Sequence, residues 1–282
     1  MPRPWREYDG RDPLFVRPKH RDPFLDAQPY KTVTAHWPYP LWIAHRGAGK
    51  LAPENTLAAF RLGASFGFRA FECDVKLSGD DVPFLLHDAA LERTTSGAGA
   101  APVRPWTELS RLDAGGWHGR VYAGEPPPTL EAIAAFCRAN GYALNIEIKP
   151  SPGREAETGR MVANEATRHW AGATAPPLLS SFKVESLQAA REAAPELRRA
   201  LLLDSLPPDW FEQARALGCA AIVSTYAAMD AAVVTRLHAA GMRALAYTVN
   251  DPAEVLRLIS LGVDGIITDA VDRFSPAGGE AV

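Results

Sequence analysis

Arg243-Ala-Leu-Ala-Tyr-Thr-Val249-Asn-Asp-Pro252-Ala-Glu-Val-Leu-Arg-Leu-Ile-Ser-Leu261-Gly262-Val-Asp-Gly265-Ile-Ile-Thr268 is the stretch that decides the fold. An apolar run of strand length leads into a helical pattern over 252–261, which stops at Gly262 and gives way to a second apolar run. Strand, helix and strand in such close succession make a parallel pair with the helix as its crossover. The same alternation extends back through the chain. Strand-like runs fall at 41–45, 70–76, 143–149, 178–182, 199–203 and 221–224, separated by helical patterns at 56–66, 129–140, 185–194, 208–217 and 231–240. Gly67, Gly141, Gly218 and Gly241 lie at or just past helix ends, the usual C-terminal stop. Eight such strands predict an α/β fold of the (β/α)8 TIM-barrel type.

One run breaks the alternation. Residues 82–87 follow the 70–76 strand after only Leu-Ser-Gly-Asp-Asp, whereas a parallel return needs a crossover of about a dozen residues or more. An antiparallel hairpin is therefore expected, turning near Gly79-Asp80 and bringing His87 back beside Glu72. Residues 89–128, rich in Gly, Pro, Arg and aromatics, read as an inserted cap near the site, with Trp106, Trp117 and Tyr122 expected to shape its pocket. Residues 1–40 hold eight of the twenty-four prolines and have no periodicity. They read as an extended N-terminal arm whose aromatics would wrap the domain or a second subunit of a homo-oligomer. The barrel is expected over 41–274 and a short tail over 275–282.

Forty-seven percent of the 282 residues are hydrophobic and the net charge is −3, so a sizeable core can form and no basic face marks nucleic acid as a partner. Cys73, Cys137 and Cys219 are few, odd in number and set in apolar patterns, which supports neither a disulfide framework nor a zinc site. The polar N-terminus lacks the apolar segment of a signal peptide, and no apolar run approaches the roughly eighteen residues of a membrane span. A cytoplasmic protein with no stable membrane association is the expectation.

The chemistry is carried by ionisable groups on or just after apolar strands: His45-Arg46, Glu72-x-Asp74, His87-Asp88 and Glu147-x-Lys149. On an isolated strand such residues would form a solvated face. Barrel strands are covered by helices outside, so their polar residues generally face the interior or the catalytic mouth. Carboxylates crowded there repel one another unless a positive group binds between them. Glu72, Asp74 and Glu147 thus suggest one divalent cation, and an all-oxygen set favours Mg²⁺ or Ca²⁺ over zinc. His45 and His87 are suited to exchange protons. Arg46 and Lys149 would grip phosphoryl oxygens, with a counter-ion role to the carboxylates as the alternative. Pro53-Glu54-Asn55-Thr56 reads as a helix start, with Asn55 or Thr56 as cap and Glu54 placed to orient Arg46. Tyr247 and Asn250 are placed to line the pocket, simple packing being the alternative for Tyr247; Asp269 is similarly ambiguous.

Taken together, Ile-Ala-His45-Arg46-Gly47, Pro53-Glu54-Asn55-Thr56, Glu72-x-Asp74-Val75, Leu-Leu-His87-Asp88, Leu91-Glu92-Arg93-Thr94-Thr95, Asn145-Ile-Glu147-Ile-Lys149, Leu-Ser-Ser-Phe182, Leu-Leu-Leu-Asp204 and Tyr247-Thr-Val-Asn250 resemble the glycerophosphodiester phosphodiesterase family, above all its bacterial cytoplasmic members. The resemblance implies a (β/α)8 barrel with an inserted subdomain that hydrolyses glycerophosphodiesters, such as glycerophosphocholine or glycerophosphoethanolamine, to glycerol 3-phosphate and an alcohol. It further implies Glu72, Asp74 and Glu147 as cation ligands, His45 and His87 as acid and base, Arg46 and Lys149 as phosphate contacts, and Phe182 as a substrate contact. Two alternatives stand beside it: a non-catalytic barrel that binds glycerol phosphates, and a phospholipase D-like enzyme acting on lysophospholipids.

Overall fold

The computed structural model describes residues 37–274 and 276. The apolar runs become β1 (Trp42–Ala44), β2 (Ala70–Leu77), β3 (Pro83–Leu85), β4 (Ala143–Ile148), β5 (Leu178–Ser181), β6 (Arg198–Leu203), β7 (Ala221–Thr225), β8 (Arg243–Tyr247) and β9 (Gly265–Thr268). All but β3 are parallel to their neighbours, and β1 pairs with both β2 and β9, which closes an eight-stranded barrel. Between them run α1 (Leu57–Ser65), the short α2 (Trp106–Leu109), α3 (Leu130–Asn140), α4 (Glu155–His169), α5 (Val184–Ala193), α6 (Trp210–Ala216), α7 (Ala231–Ala239) and α8 (Pro252–Leu261). The TIM-barrel expectation is met.

Local chemistry sets the helix ends. Thr56, Thr129, Asp230 and Asp251 accept backbone N–H groups in the first turns of α1, α3, α7 and α8. Gly141 and Gly262 end α3 and α8 in the left-handed conformation, at φ 68° and 79°. Outward-facing Phe71 on β2 meets Phe60 of α1 at 5.1 Å between ring centroids, and both are fully buried. Burial on that scale stabilises by about 1.5–3 kcal/mol per side chain.

The hairpin forms as expected: β3 runs antiparallel to β2 with Val75 opposite Leu85. Its turn is held by Ser78, whose Oγ donates to Asp80 Oδ1 at 2.6 Å and accepts from Val82 N at 2.9 Å. Within the expected cap, Leu91, Ala101 and Leu109 pack on Phe84 and Leu86 in a small cluster separate from the barrel core. Of the expected arm, residues 1–36 lie outside the described residues, as does nearly all of the tail. Tyr39 is buried in the barrel core and its hydroxyl donates to Pro176 O at 2.9 Å, so barrel packing begins before residue 41.

Candidate active site

Strand alternation builds the site. Ile43, Ala70, Ala143, Ala200, Leu245 and Ile267 share one core cluster inside the barrel. Two residues further along each strand, on the same face, stand His45, Glu72, Asn145, Leu202, Tyr247 and Asp269. Another step of two adds Asp74, Glu147 and Asp204. Small and branched residues thus plug the barrel, and ionisable ones crown it at the C-terminal ends of the strands, where barrel enzymes place their chemistry.

Glu72, Asp74 and Glu147 are buried and offer oxygens that all lie within 4.8 Å of one another. Lys149 Nζ donates to Asp74 Oδ1 at 3.1 Å and Glu147 Oε1 at 3.0 Å, while Arg46 Nε lies 3.3 Å from Asp74 Oδ2. Two cations against three carboxylates leave one charge uncompensated. Burial and the neighbouring Asp74 push Glu72 and Glu147 above the usual carboxylate range. Asp74 is instead held well below it: burial opposes this, but Arg46 and Lys149 prevail. Three buried oxygen donors with unrelieved repulsion fit a hard divalent cation.

The helix start at 53–56 divides its labour. Thr56 caps α1, accepting from Ala59 N at 3.2 Å. Asn55 clamps Asp74 from both sides, its Nδ2 donating to Oδ2 at 2.8 Å and its Oδ1 accepting from Asp74 N at 3.1 Å. Glu54 Oε1 accepts from Arg46 NH1 at 2.7 Å, a contact through which it would orient that guanidinium. Arg46 and Asn55 both have positive φ, at 50° and 59°, a strain of about 1–3 kcal/mol each that the surrounding bonds must hold.

Each histidine is held by an aspartate. His45 Nδ1 donates to Asp269 Oδ1 at 2.6 Å, and His87 Nδ1 to Asp88 Oδ1 at the same distance. Both rings are thereby fixed; Nε2 of His87 is left for the site, while Nε2 of His45 accepts from Arg46 Nε at 3.2 Å. Their surroundings differ. Burial works against a charged His45, yet Asp269 and Glu72 outweigh it and raise its pKa, whereas burial dominates at His87 and lowers it. Asp269, ambiguous in the sequence, could have been found by counting two residues along from inward-facing Ile267. Asn250 does not line the cavity as expected. It stands behind Asp269, with Nδ2 donating to Oδ2 at 3.2 Å and Oδ1 accepting from Asp269 N at 2.8 Å.

The loop carrying His45 and Arg46 has no room to spare. Gly49, at φ 56°, lies so near the last strand that a Cβ would sit 2.1 Å from Asp269 O. Gly49→Ala is therefore expected to lower stability by about 1–3 kcal/mol and to reduce turnover by displacing His45 from Asp269. Thermal unfolding beside a kinetic assay checks this, and an unchanged melting temperature would refute the close-packed seam.

These groups face a cavity of about 310 Å³. His45, Arg46, Glu72, His87, Glu147 and Lys149 form one side; Phe182, Leu202, Asp204, Tyr247 and Ile267 form the other. Phe182 and Tyr247 meet edge to face at 6.2 Å, and Tyr247 OH donates to Asp204 Oδ1 at 2.8 Å. Asp204 and Asn145 carry no assigned role in the sequence reading beyond their motifs, although both continue the inward alternation. None of the cap aromatics reaches this wall. Trp106 packs on Phe84 at 5.7 Å between ring centroids, and Trp117 is 43% exposed with its ring N–H bonded to Ala114 O. The expected role of Trp106, Trp117 and Tyr122 in shaping the pocket gives way to the ends of β5, β6 and β8.

Residues 45–273 match the glycerophosphoryl diester phosphodiesterase family. The chain is 31% identical over 233 residues to a glycerophosphodiester phosphodiesterase of Caldanaerobacter subterraneus, covering 81% of this chain and 93% of that one. Among solved structures it resembles a phosphodiesterase of Oleispira antarctica in complex with the product sn-glycerol-3-phosphate, with a TM-score of 0.78, 38% identity and coverage of 82% and 93%. A glycerophosphodiester phosphodiesterase of Agrobacterium tumefaciens superposes with a TM-score of 0.71 at 30% identity, covering 84% of this chain and 99% of that one.

Proposed function

The chain belongs to the glycerophosphoryl diester phosphodiesterase family and is a glycerophosphodiester phosphodiesterase; from that premise we propose how its barrel mouth cleaves the diester to sn-glycerol 3-phosphate and an alcohol. Support comes above all from one observation: two aspartate-held imidazoles, two cationic side chains, and Glu72 and Glu147 of a buried carboxylate triad line a single cavity, with Asp74 buried beside them. A phosphodiester is an anion with a poor alkoxide leaving group. Its cleavage calls for charge neutralisation, an activated attacking hydroxyl and a proton for the departing oxygen.

Glu72, Asp74 and Glu147 would hold one divalent cation, Mg²⁺ or Ca²⁺. When bound, that ion would neutralise charge on a phosphoryl oxygen. Arg46 and Lys149 bind the phosphate, their direction fixed by Glu54 and by Asp74 with Glu147. His45 and His87 divide the proton transfers, one taking a proton from the attacking oxygen, that of a water or of the neighbouring glycerol hydroxyl whose cyclic phosphate a water then opens, and the other giving one to the leaving alcohol. Phe182 and Tyr247 wall in the organic part of the substrate, and Asn250 acts through Asp269. No helix among the described residues is long and apolar enough to cross a membrane. We place the enzyme in the cytoplasm, acting on soluble diesters.

Incubation with glycerophosphocholine, glycerophosphoethanolamine and a lysophospholipid in parallel tests this reading, with coupled detection of sn-glycerol 3-phosphate from the two soluble diesters and of the released head-group alcohol from all three. Turnover of the soluble diesters is expected. Binding without turnover would favour a carrier, and preference for the lysophospholipid would favour a phospholipase D-like enzyme.

A further inference from the structure

Leu91-Glu92-Arg93-Thr94-Thr95 has no part in the reaction described so far, yet Arg93 reaches the site from the cap. We propose that Arg93 is a positioning residue that fixes His87 for proton transfer by bracing Asp88 against Glu54; this rests on the reading of His87 as an acid–base group. Arg93 Nε donates to Asp88 Oδ2 at 2.6 Å and NH2 to Asp88 Oδ1 at 3.0 Å, the same oxygen that holds His87 Nδ1. On its other side, NH1 and NH2 donate to Glu54 Oε2 and Oε1, both at 2.8 Å. Glu54 Oε1 also accepts from Arg46. A continuous chain, His87 to Asp88 to Arg93 to Glu54 to Arg46, thus joins a proton-transfer group to a phosphate-binding one.

Only a guanidinium can do this. Its planar fork serves two carboxylates at once, whereas an ammonium is a point charge that satisfies one of them well. Without Arg93 the Asp88 carboxylate, about a third exposed, is free to change rotamer and take His87 with it. The cap holds Arg93 in place in turn. Its loop is closed by pairing of Ala90 with Ala100 and anchored by buried Leu91, and Thr95 Oγ1 donates to Leu91 O at 2.7 Å. Stability is a poor explanation for the arrangement. The Arg93 side chain is 43% exposed, and ion pairs so open to water contribute little to folding. Its removal is expected to show in catalysis.

The test uses the full chain with added divalent cation and glycerophosphocholine. Arg93→Ala is expected to lower kcat about 10–100-fold, the usual effect of losing a group that orients a functional residue, with KM and melting temperature nearly unchanged. Arg93→Lys should restore part of the loss. In a His87→Ala background the same change should cost less than about twofold, because residues that act as a unit are non-additive. Should the alanine variant fail to fold, Arg93→Gln carries the same comparison. An unchanged kcat, or an equal loss with and without His87, overturns the proposal. If His87→Ala itself keeps wild-type turnover, the acid–base reading has failed and the positioning role falls with it.

Discussion

Replacing His87 by alanine lowers turnover about 10²–10⁴-fold and leaves the fold intact, and His45→Ala does the same. The expectation follows from geometry. Both rings sit just past strand ends, each has Nδ1 committed to an aspartate at 2.6 Å, and both line the cavity. Neither ring belongs to the apolar core, so its loss leaves no large void there. The double variant should fall little below the worse single one, since an acid without its base has no complete path to assist. Circular dichroism and thermal unfolding would establish that the variants are folded. Wild-type turnover in a folded double variant would remove the histidines from the mechanism.

Exhaustive chelation has the second large effect. Activity should fall by about 10³-fold or more, since charge stabilisation by a bound ion is worth several kcal/mol, and Mg²⁺ or Ca²⁺ should restore it. A second readout needs no catalysis. Filling the site relieves repulsion among three buried carboxylates, so added cation should raise the melting temperature, by mass action equivalent to about 2.7 kcal/mol at a hundred times the dissociation constant. Asp74→Asn should abolish both the reactivation and the thermal shift. Asp74 is the better target than Glu72 because Asn55, Lys149 and Arg46 all converge on it. Undiminished activity after chelation, with no thermal response to either ion, would contradict the cation site.

The barrel could be read from the chain because its evidence is local. A crossover needs length, and the five residues before Val82 are too few, so the hairpin and the return of His87 follow from counting alone. The inward residues likewise repeat every second position, which is why Glu72, Asp74, Glu147 and His45 were legible. Other assignments depend on partners far off in sequence. Asp269 is bound to a histidine 224 residues earlier, and nothing near Asp269 announces that bond. Asn250 was placed at the right loop but one layer too far forward, because the sequence does not say whether it faces substrate or braces Asp269. The cap aromatics misled for a similar reason. A tryptophan in a loop beside a site can face the substrate or its own small core, and Trp106 takes the second course by packing on Phe84.

The seam where β1 meets β9 bears on how the enzyme comes into being. Glu72, Asp74, Glu147, Arg46 and Lys149 all lie at or before residue 149, so an emerging polypeptide holds the proposed ion and phosphate contacts long before β9 is made. Asp269 arrives only with the final strand, whose residues Ile266–Thr268 pair with Trp42–Ala44. The His45–Asp269 contact therefore cannot exist in an unfinished or C-terminally shortened chain. Ring closure and completion of the reaction centre are one event, and a nascent chain can gather its charged groups before it can assemble its full proton-transfer machinery.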